Sequence, residues 1–163
     1  MNRLYPVGIQ NFEKIRKNGY IYVDKTALLY QLVKTGQYYF LSRPRRFGKS
    51  LTISTLEAYF TGKRELFKGL DMEQLEKGWT VHPVLHMDLN TEKYDTEESL
   101  EHKLELTLKQ WEEEYGSNPD EYSVATRFEG VIRRAALKTG CNVVILIDEY
   151  DKPILQTISK PEL

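Results

Sequence analysis

The stretch Ser42-Arg43-Pro44-Arg45-Arg46-Phe47-Gly48-Lys49-Ser50-Leu51 decides how this chain is read. It follows the β-prone run Gln37-Tyr38-Tyr39-Phe40-Leu41. It opens a segment in which Leu51, Ile53, Leu56, Tyr59 and Phe60 recur at helical spacing. Strand, loop and helix in that order make a cradle for phosphate groups. Backbone N–H groups at a helix start point at the anion, Lys49 reaches the β- and γ-phosphates, and the Ser50 hydroxyl can bind Mg²⁺. The full pattern is Gly-x-x-x-x-Gly-Lys-Ser/Thr, and Arg43 stands where its first Gly belongs. A Gly-Lys-Ser/Thr triplet arises by chance in a chain of this size on the order of one time in ten, so the flanking strand and helix carry much of the argument.

The second half of the motif lies 99 residues downstream of Lys49. Asn142-Val143-Val144-Ile145-Leu146-Ile147-Asp148-Glu149 is an unbroken β-branched and aliphatic run ending in two carboxylates. Such a run predicts a strand buried on both faces of a parallel sheet, with its acids at the strand end where open α/β sheets bind ligands. It looks like a Walker B segment, with Asp148 on Mg²⁺ and Glu149 orienting the attacking water. Each motif also has a plainer explanation. Gly48-Lys49-Ser50 fits an ordinary loop entering a helix, and Asp148-Glu149 fits a helix cap after a buried strand. Together they support one another, because one supplies phosphate contacts and the other completes a metal site. They predict a nucleotide-binding domain.

The same residues resemble the bacterial AAA-ATPase-like proteins. The resemblance rests on Tyr5-Pro6-Val7-Gly8-Ile9 with Phe12, Tyr22-Val23-Asp24-Lys25-Thr26, the Arg43–Ser50 loop, and Asp148-Glu149-Tyr150-Asp151-Lys152-Pro153. It runs from about the N-terminus to Pro153. In that family Arg commonly replaces the first Gly of the loop, so Arg43 matches it. The resemblance implies ATP as the nucleotide, Mg²⁺ as cofactor, and Arg45, Arg46, Phe47, Gly48, Lys49, Ser50 and Leu51 as the binding loop. It makes Lys49 and Glu149 catalytic and Ser50 and Asp148 the metal ligands. Longer members continue into the rest of the ATPase core and a PD-(D/E)XK nuclease-like domain, so this chain is expected to be truncated after its Walker B strand. An arginine finger would then come from a further segment or from a neighbouring subunit of a homo-oligomer.

Composition narrows the class. At 163 residues and 40 % hydrophobic content the chain can bury one sizeable core. A net charge of −1 argues against general adhesion to nucleic acid. No apolar stretch reaches the roughly 18 residues of a membrane span, and no signal-peptide core is present. The single cysteine, Cys141, excludes an intrachain disulfide, fits a cytoplasmic home, and is expected to be a small buried residue entering a strand.

Along the chain, residues 11–17 predict a short helix stopped at Asn18-Gly19, and residues 20–23 a brief strand. Asp24 is the expected N-cap of a helix carrying Leu28, Leu29, Leu32 and Val33 and closed by Gly36; Asp24-Lys25-Thr26 could alternatively lie near a nucleotide base. Residues 81–89 predict a strand disturbed by Pro83. Asp95 and Glu98 resemble a capping box before Leu100, Leu104, Leu108, Trp111 and Tyr115 on one helical face. A helix over 123–139 ends at Gly140. This order predicts an α/β fold, a P-loop NTPase three-layer α/β/α architecture with a mainly parallel sheet. Residues 1–36 form an N-terminal helix/strand extension and residues 37–163 the P-loop to Walker B core.

Other clusters have weaker claims. Arg43, Arg45, Arg46 and Lys49 suit phosphate binding better than a nucleic-acid surface. His82, His86 and Asp88 would share a strand face but lack fuller ligand spacing for a metal. Glu112-Glu113-Glu114 is a solvated helix face. Mg²⁺-dependent ATP binding with hydrolysis is the leading expectation. A nucleotide-dependent switch with little turnover, or the ATPase part of a nucleic-acid-processing protein, are the alternatives.

Overall fold

A computed structural model describes residues 4–42, 44, 46–90 and 96–157. The chain is α/β and forms two compact units, Met1–Val81 and His82–Leu163.

The first unit is helical. Helix α1, Phe12–Lys17, starts where the Asn11 side chain accepts from the Lys14 N–H at 2.8 Å and stops at Asn18, with Gly19 in the left-handed region (φ 67°). Helix α2 is Thr26–Thr35, helix α3 is Lys49–Phe60, a 3₁₀ turn spans Arg64–Phe67, and helix α4 is Asp71–Leu75. Their apolar faces close over Phe12, Ala58, Tyr59, Leu66, Phe67, Leu70 and Met72. Phe67 is at the centre, its ring 4.9 Å from Phe12 and 5.2 Å from Trp79. Polar bonds fix the helices on this core. The Phe12 N–H donates to Ser54 Oγ of α3 at 3.0 Å, and the Arg16 guanidinium donates to the carbonyls of Leu66 and Lys68 at 2.7 and 2.6 Å.

Three sequence expectations need correction here. Residues 20–23 and 37–41 carry no strand; Tyr38 and Phe40 stand exposed, and the Tyr39 hydroxyl donates to the Leu32 carbonyl. Strand propensity expresses fit to a paired, half-buried surface and does not by itself make a strand. The N-cap of α2 is Lys25, which makes no side-chain cap bond. Asp24 instead joins two helix starts, accepting from the Thr26 N–H and hydroxyl and from the Asp71 N–H of α4 at 2.7–2.8 Å. Gly36 closes α2 as expected, in an extended conformation (φ −162°).

Glu76 ties the lower edge of this core. It is buried, accepts from the Tyr59 hydroxyl at 2.5 Å and from the Gly78 N–H at 2.7 Å, and pairs with Lys34 at 2.8 Å. Burial alone would raise its pKa, but the Lys34, Tyr59 and Gly78 bonds outweigh it and hold the carboxyl at about 2. A depressed carboxyl stabilises the fold above its unfolded pKa near 4.5 and loses that contribution as pH falls towards about 2. Urea unfolding of wild type and Glu76→Gln should therefore show a stability gap that narrows between pH 5 and pH 3. A gap that does not change with pH would rule this out.

The second unit holds the sheet. Strand β1, Val84–Asp88, pairs in parallel with strand β2, Val144–Asp148, in the register Leu85 to Ile145 and Asp88 to Asp148. Between them run helix α5, Glu97–Tyr115, and helix α6, Val124–Thr139; helix α7, Lys152–Thr157, follows β2. The capping pair expected at Asp95 and Glu98 includes a residue outside the described set; the N-cap of α5 is Thr96, which accepts from the Ser99 N–H. Helix α6 begins with a capping box at Ser123 and Thr126, and it ends, as its sequence predicts, at Gly140, which is left-handed (φ 66°). Leu108 and Trp111 are buried against Leu85, Met87, Leu89 and Val131, with Leu100, Leu104 and Tyr115 packed around them. Arg127 of α6 clasps Glu112 of α5 through two bonds of 2.8 and 2.7 Å.

β2 is not buried on both faces. Leu146 and Asp148 are buried, but Ile145 and Ile147 are 41 % and 45 % exposed. They share a sheet face with Leu85 and Met87, which the core residues of α5 and α6 cover on the β1 side. β1 is the only strand paired with β2 among the described residues. β1 also begins at Val84, after Pro83, whose carbonyl accepts from the Val144 N–H. Cys141 is half-buried rather than buried.

Candidate functional site

In the first unit the Gly48 loop turns directly into α3. Gly48 is the N-cap residue with φ 79° and ψ 23°, a left-handed conformation that glycine adopts without strain. Arg46 is also left-handed, at φ 68°. The Thr52 N–H and hydroxyl both donate to the Gly48 carbonyl at 2.9 Å, which locks the first turn. Gly48 has no side chain with which to cap this helix start, and no acid lies in its first turn. The N–H groups of a first turn have no acceptor within the helix, and the macrodipole there favours an anion. Lys49, Ser50 and Leu51 are half-buried, and Leu51 packs against the Phe12–Met72 core, so the loop is anchored to a rigid base. Phe47 is 66 % exposed beside it. Arg43 and Arg45 lie outside the described residues.

In the second unit the carboxylates sit at the C-terminal ends of the two parallel strands. Asp148 is 8 % exposed and accepts from the Glu149 N–H at 2.9 Å. Glu149 is held in the left-handed region at φ 53°, unusual for a residue with a side chain. The pairing continues past the strand through the Leu89 N–H to the Asp148 carbonyl at 3.1 Å. Asp88 stands in register with Asp148 and accepts from the Asn90 N–H at 2.8 Å.

The oxygens of Ser50 and Asp148 are hard donors of the kind Mg²⁺ prefers. Among the described residues no three His, Cys, Asp or Glu side chains gather into a metal cluster, so His82, His86 and Asp88 do not make one. His82 Nδ1 lies 2.9 Å from the Asn142 carbonyl instead. A Mg²⁺ ion held by one or two protein oxygens and by substrate phosphates needs no such cluster. No helix among the described residues is long and apolar enough to cross a membrane.

Residues 6–163 match the family described as predicted AAA-ATPase. The chain belongs to this AAA-ATPase-like family. A relative from Azotobacter chroococcum mcd 1, named "Uncharacterized protein in vnfD 5'region", is 42 % identical over 159 residues, covering 97 % of this chain and 31 % of that protein. The AAA-ATPase-like chain thus spans about a third of that relative's length. No solved structure matches it.

Sequence reasoning missed the place of Asp88 in this AAA-ATPase-like chain, having grouped it with the histidines. The usable signal was that the runs ending at Asp88 and Asp148 are both short, apolar and acid-terminated, as two neighbouring parallel strands would be.

Proposed function

We propose that this chain binds Mg²⁺-ATP at the Gly48 loop and hydrolyses it, with water attacking the γ-phosphate. The observation that carries the proposal is the start of α3, a left-handed Gly48 followed by an acid-free first turn that holds Lys49 and Ser50. Membership of the AAA-ATPase-like family supports it. Backbone N–H groups around Gly48 hold the phosphates, Lys49 neutralises their charge, and Arg46 adds positive charge beside them, with Arg45 as a further candidate. Ser50 and Asp148 would hold Mg²⁺, which supplies charge neutralisation across the phosphates when bound. Glu149 orients the attacking water, so catalysis is mainly positioning and electrostatics.

The proposal includes the three-layer α/β/α architecture of a P-loop NTPase. Residues 37–163 then make the P-loop to Walker B core behind an extension over 1–36. A cytoplasmic, homo-oligomeric protein with a further nuclease-like domain belongs to the same reading.

Thermal unfolding with and without Mg²⁺-ATP, beside Lys49→Ala, tests the site. At about 100 times Kd, bound ATP adds roughly 2.7 kcal/mol, a rise of about 5–11 °C at this size. The rise should appear in wild type and vanish in Lys49→Ala. A wild type that unfolds cooperatively at the same temperature with and without Mg²⁺-ATP would overturn the proposal. ATP binding without multiple-turnover phosphate release would leave a nucleotide-dependent switch.

A further inference from the structure

Glu149 occupies a strained backbone position, and something must hold it there. Left-handed φ at a non-glycine residue costs on the order of 1–3 kcal/mol and persists only where surrounding bonds over-determine it. Two bonds act within the turn itself, the Glu149 N–H to Asp148 Oδ1 and the Lys152 N–H to the Glu149 carbonyl at 3.0 Å. A third comes from across the sheet. The Lys152 ammonium donates to the Asn90 backbone carbonyl and reaches Asn90 Oδ1 at 3.3 Å. Asn90 is in turn fixed by its N–H to Asp88, the residue in register with Asp148.

The chain of contacts therefore closes a ring at the C-terminal edge of the β1–β2 pair. It runs from Asp148 through the Glu149 turn to Lys152, across to Asn90 and Asp88, and back through the strand pairing. We infer that Lys152 is a positioning residue, whose ammonium clamps the Glu149 turn to the end of β1 and so sets where the Glu149 carboxylate points. This rests on the proposed role of Glu149 as the group that orients the attacking water. A charged donor suits the task because charge-assisted bonds are roughly twice as strong as neutral ones. The contact is at the surface, so its loss does not threaten the core.

The test compares Lys152→Met, Lys152→Arg and Glu149→Gln in the intact protein, reading Mg²⁺-ATP affinity, kcat and amide exchange. Displacing a catalytic group by about an ångström costs up to roughly 100-fold in rate. Lys152→Met should lower kcat by about 10- to 100-fold with Kd for Mg²⁺-ATP unchanged, and should speed amide exchange at 149–152. Lys152→Arg should restore most of the rate. Because the effect passes through Glu149, Lys152→Met should add little in the Glu149→Gln background. An unchanged kcat in Lys152→Met, or a loss of ATP affinity at constant kcat, overturns the positioning role while the ATPase reading stands. A wild type that binds no ATP overturns the ATPase reading and the positioning role with it; unchanged exchange at 149–152 in Lys152→Met overturns the clamp alone.

Discussion

Glu149→Gln is expected to leave Mg²⁺-ATP binding within about twofold of wild type and to lower kcat by at least about 10²-fold, the lower end of what a positioned general base contributes. The substitution is nearly isosteric. The bond to Asp148 Oδ1 is donated by the backbone N–H of residue 149 and survives it, so the left-handed turn is retained. What disappears is the negative charge that, in the proposed reaction, accepts a proton from or orients the attacking water. In the proposed reading ATP is bound by other groups, the Gly48 loop and Lys49, so affinity and turnover should separate. Single-turnover phosphate release, measured beside equilibrium binding of Mg²⁺-ATP, reads both. Turnover equal to wild type would remove Glu149 from the reaction, and Asp88 would become the carboxylate to test next. Equal loss of binding and turnover would mean that the turn had been disturbed, and amide exchange at Glu149 would reveal it.

Much of this was legible in the sequence where a local signal decides local structure. Gly48 marks the start of α3 because only a flexible residue turns easily from that loop into a helix, and Ser123 and Gly140 bracket α6 for equally local reasons. The helical face of Leu100, Leu104, Leu108, Trp111 and Tyr115 follows from a period of 3.6 and a need for burial. The errors arose where the answer depends on a neighbour. Gln37–Leu41 has the composition of a strand, and strands exist only in pairs. Ile145 and Ile147 are as apolar as Leu146, yet only Leu146 is buried, and nothing within the run itself marks which of the three is covered. Asp24 was read as a cap for its own helix, while one of its carboxylate oxygens also serves Asp71, 47 residues away. The Asp88–Asp148 register is likewise a property of two strands together, invisible in either one.

The stability of the first unit should hinge on Phe67. Its side chain is fully buried and meets Phe12, Trp79 and Tyr59, the last at 6.4 Å in an edge-to-face arrangement. Phe67→Ala removes the ring and leaves a cavity that a cluster of rigid aromatic rings cannot readily fill, at a cost of about 3–5 kcal/mol. At this chain length that lowers Tm by roughly 6–20 °C. Leu137 is 78 % exposed, and Leu137→Ala should change stability by no more than about 0.5 kcal/mol. The consequence extends to the phosphate loop, because α3 meets this core through Ala58, Tyr59 and Leu51, two residues beyond Lys49. Loosening the base of α3 costs the order of its first turn, so Phe67→Ala should weaken Mg²⁺-ATP binding without removing any group that touches phosphate. Urea unfolding followed by Trp79 fluorescence in a Trp111→Phe background, together with ATP titration below the new Tm, separates the two effects. A loss under 1 kcal/mol would mean that the core relaxes around the gap. Full destabilisation with unchanged ATP affinity would show that the loop is held by its own bonds, chiefly the two from Thr52 to the Gly48 carbonyl.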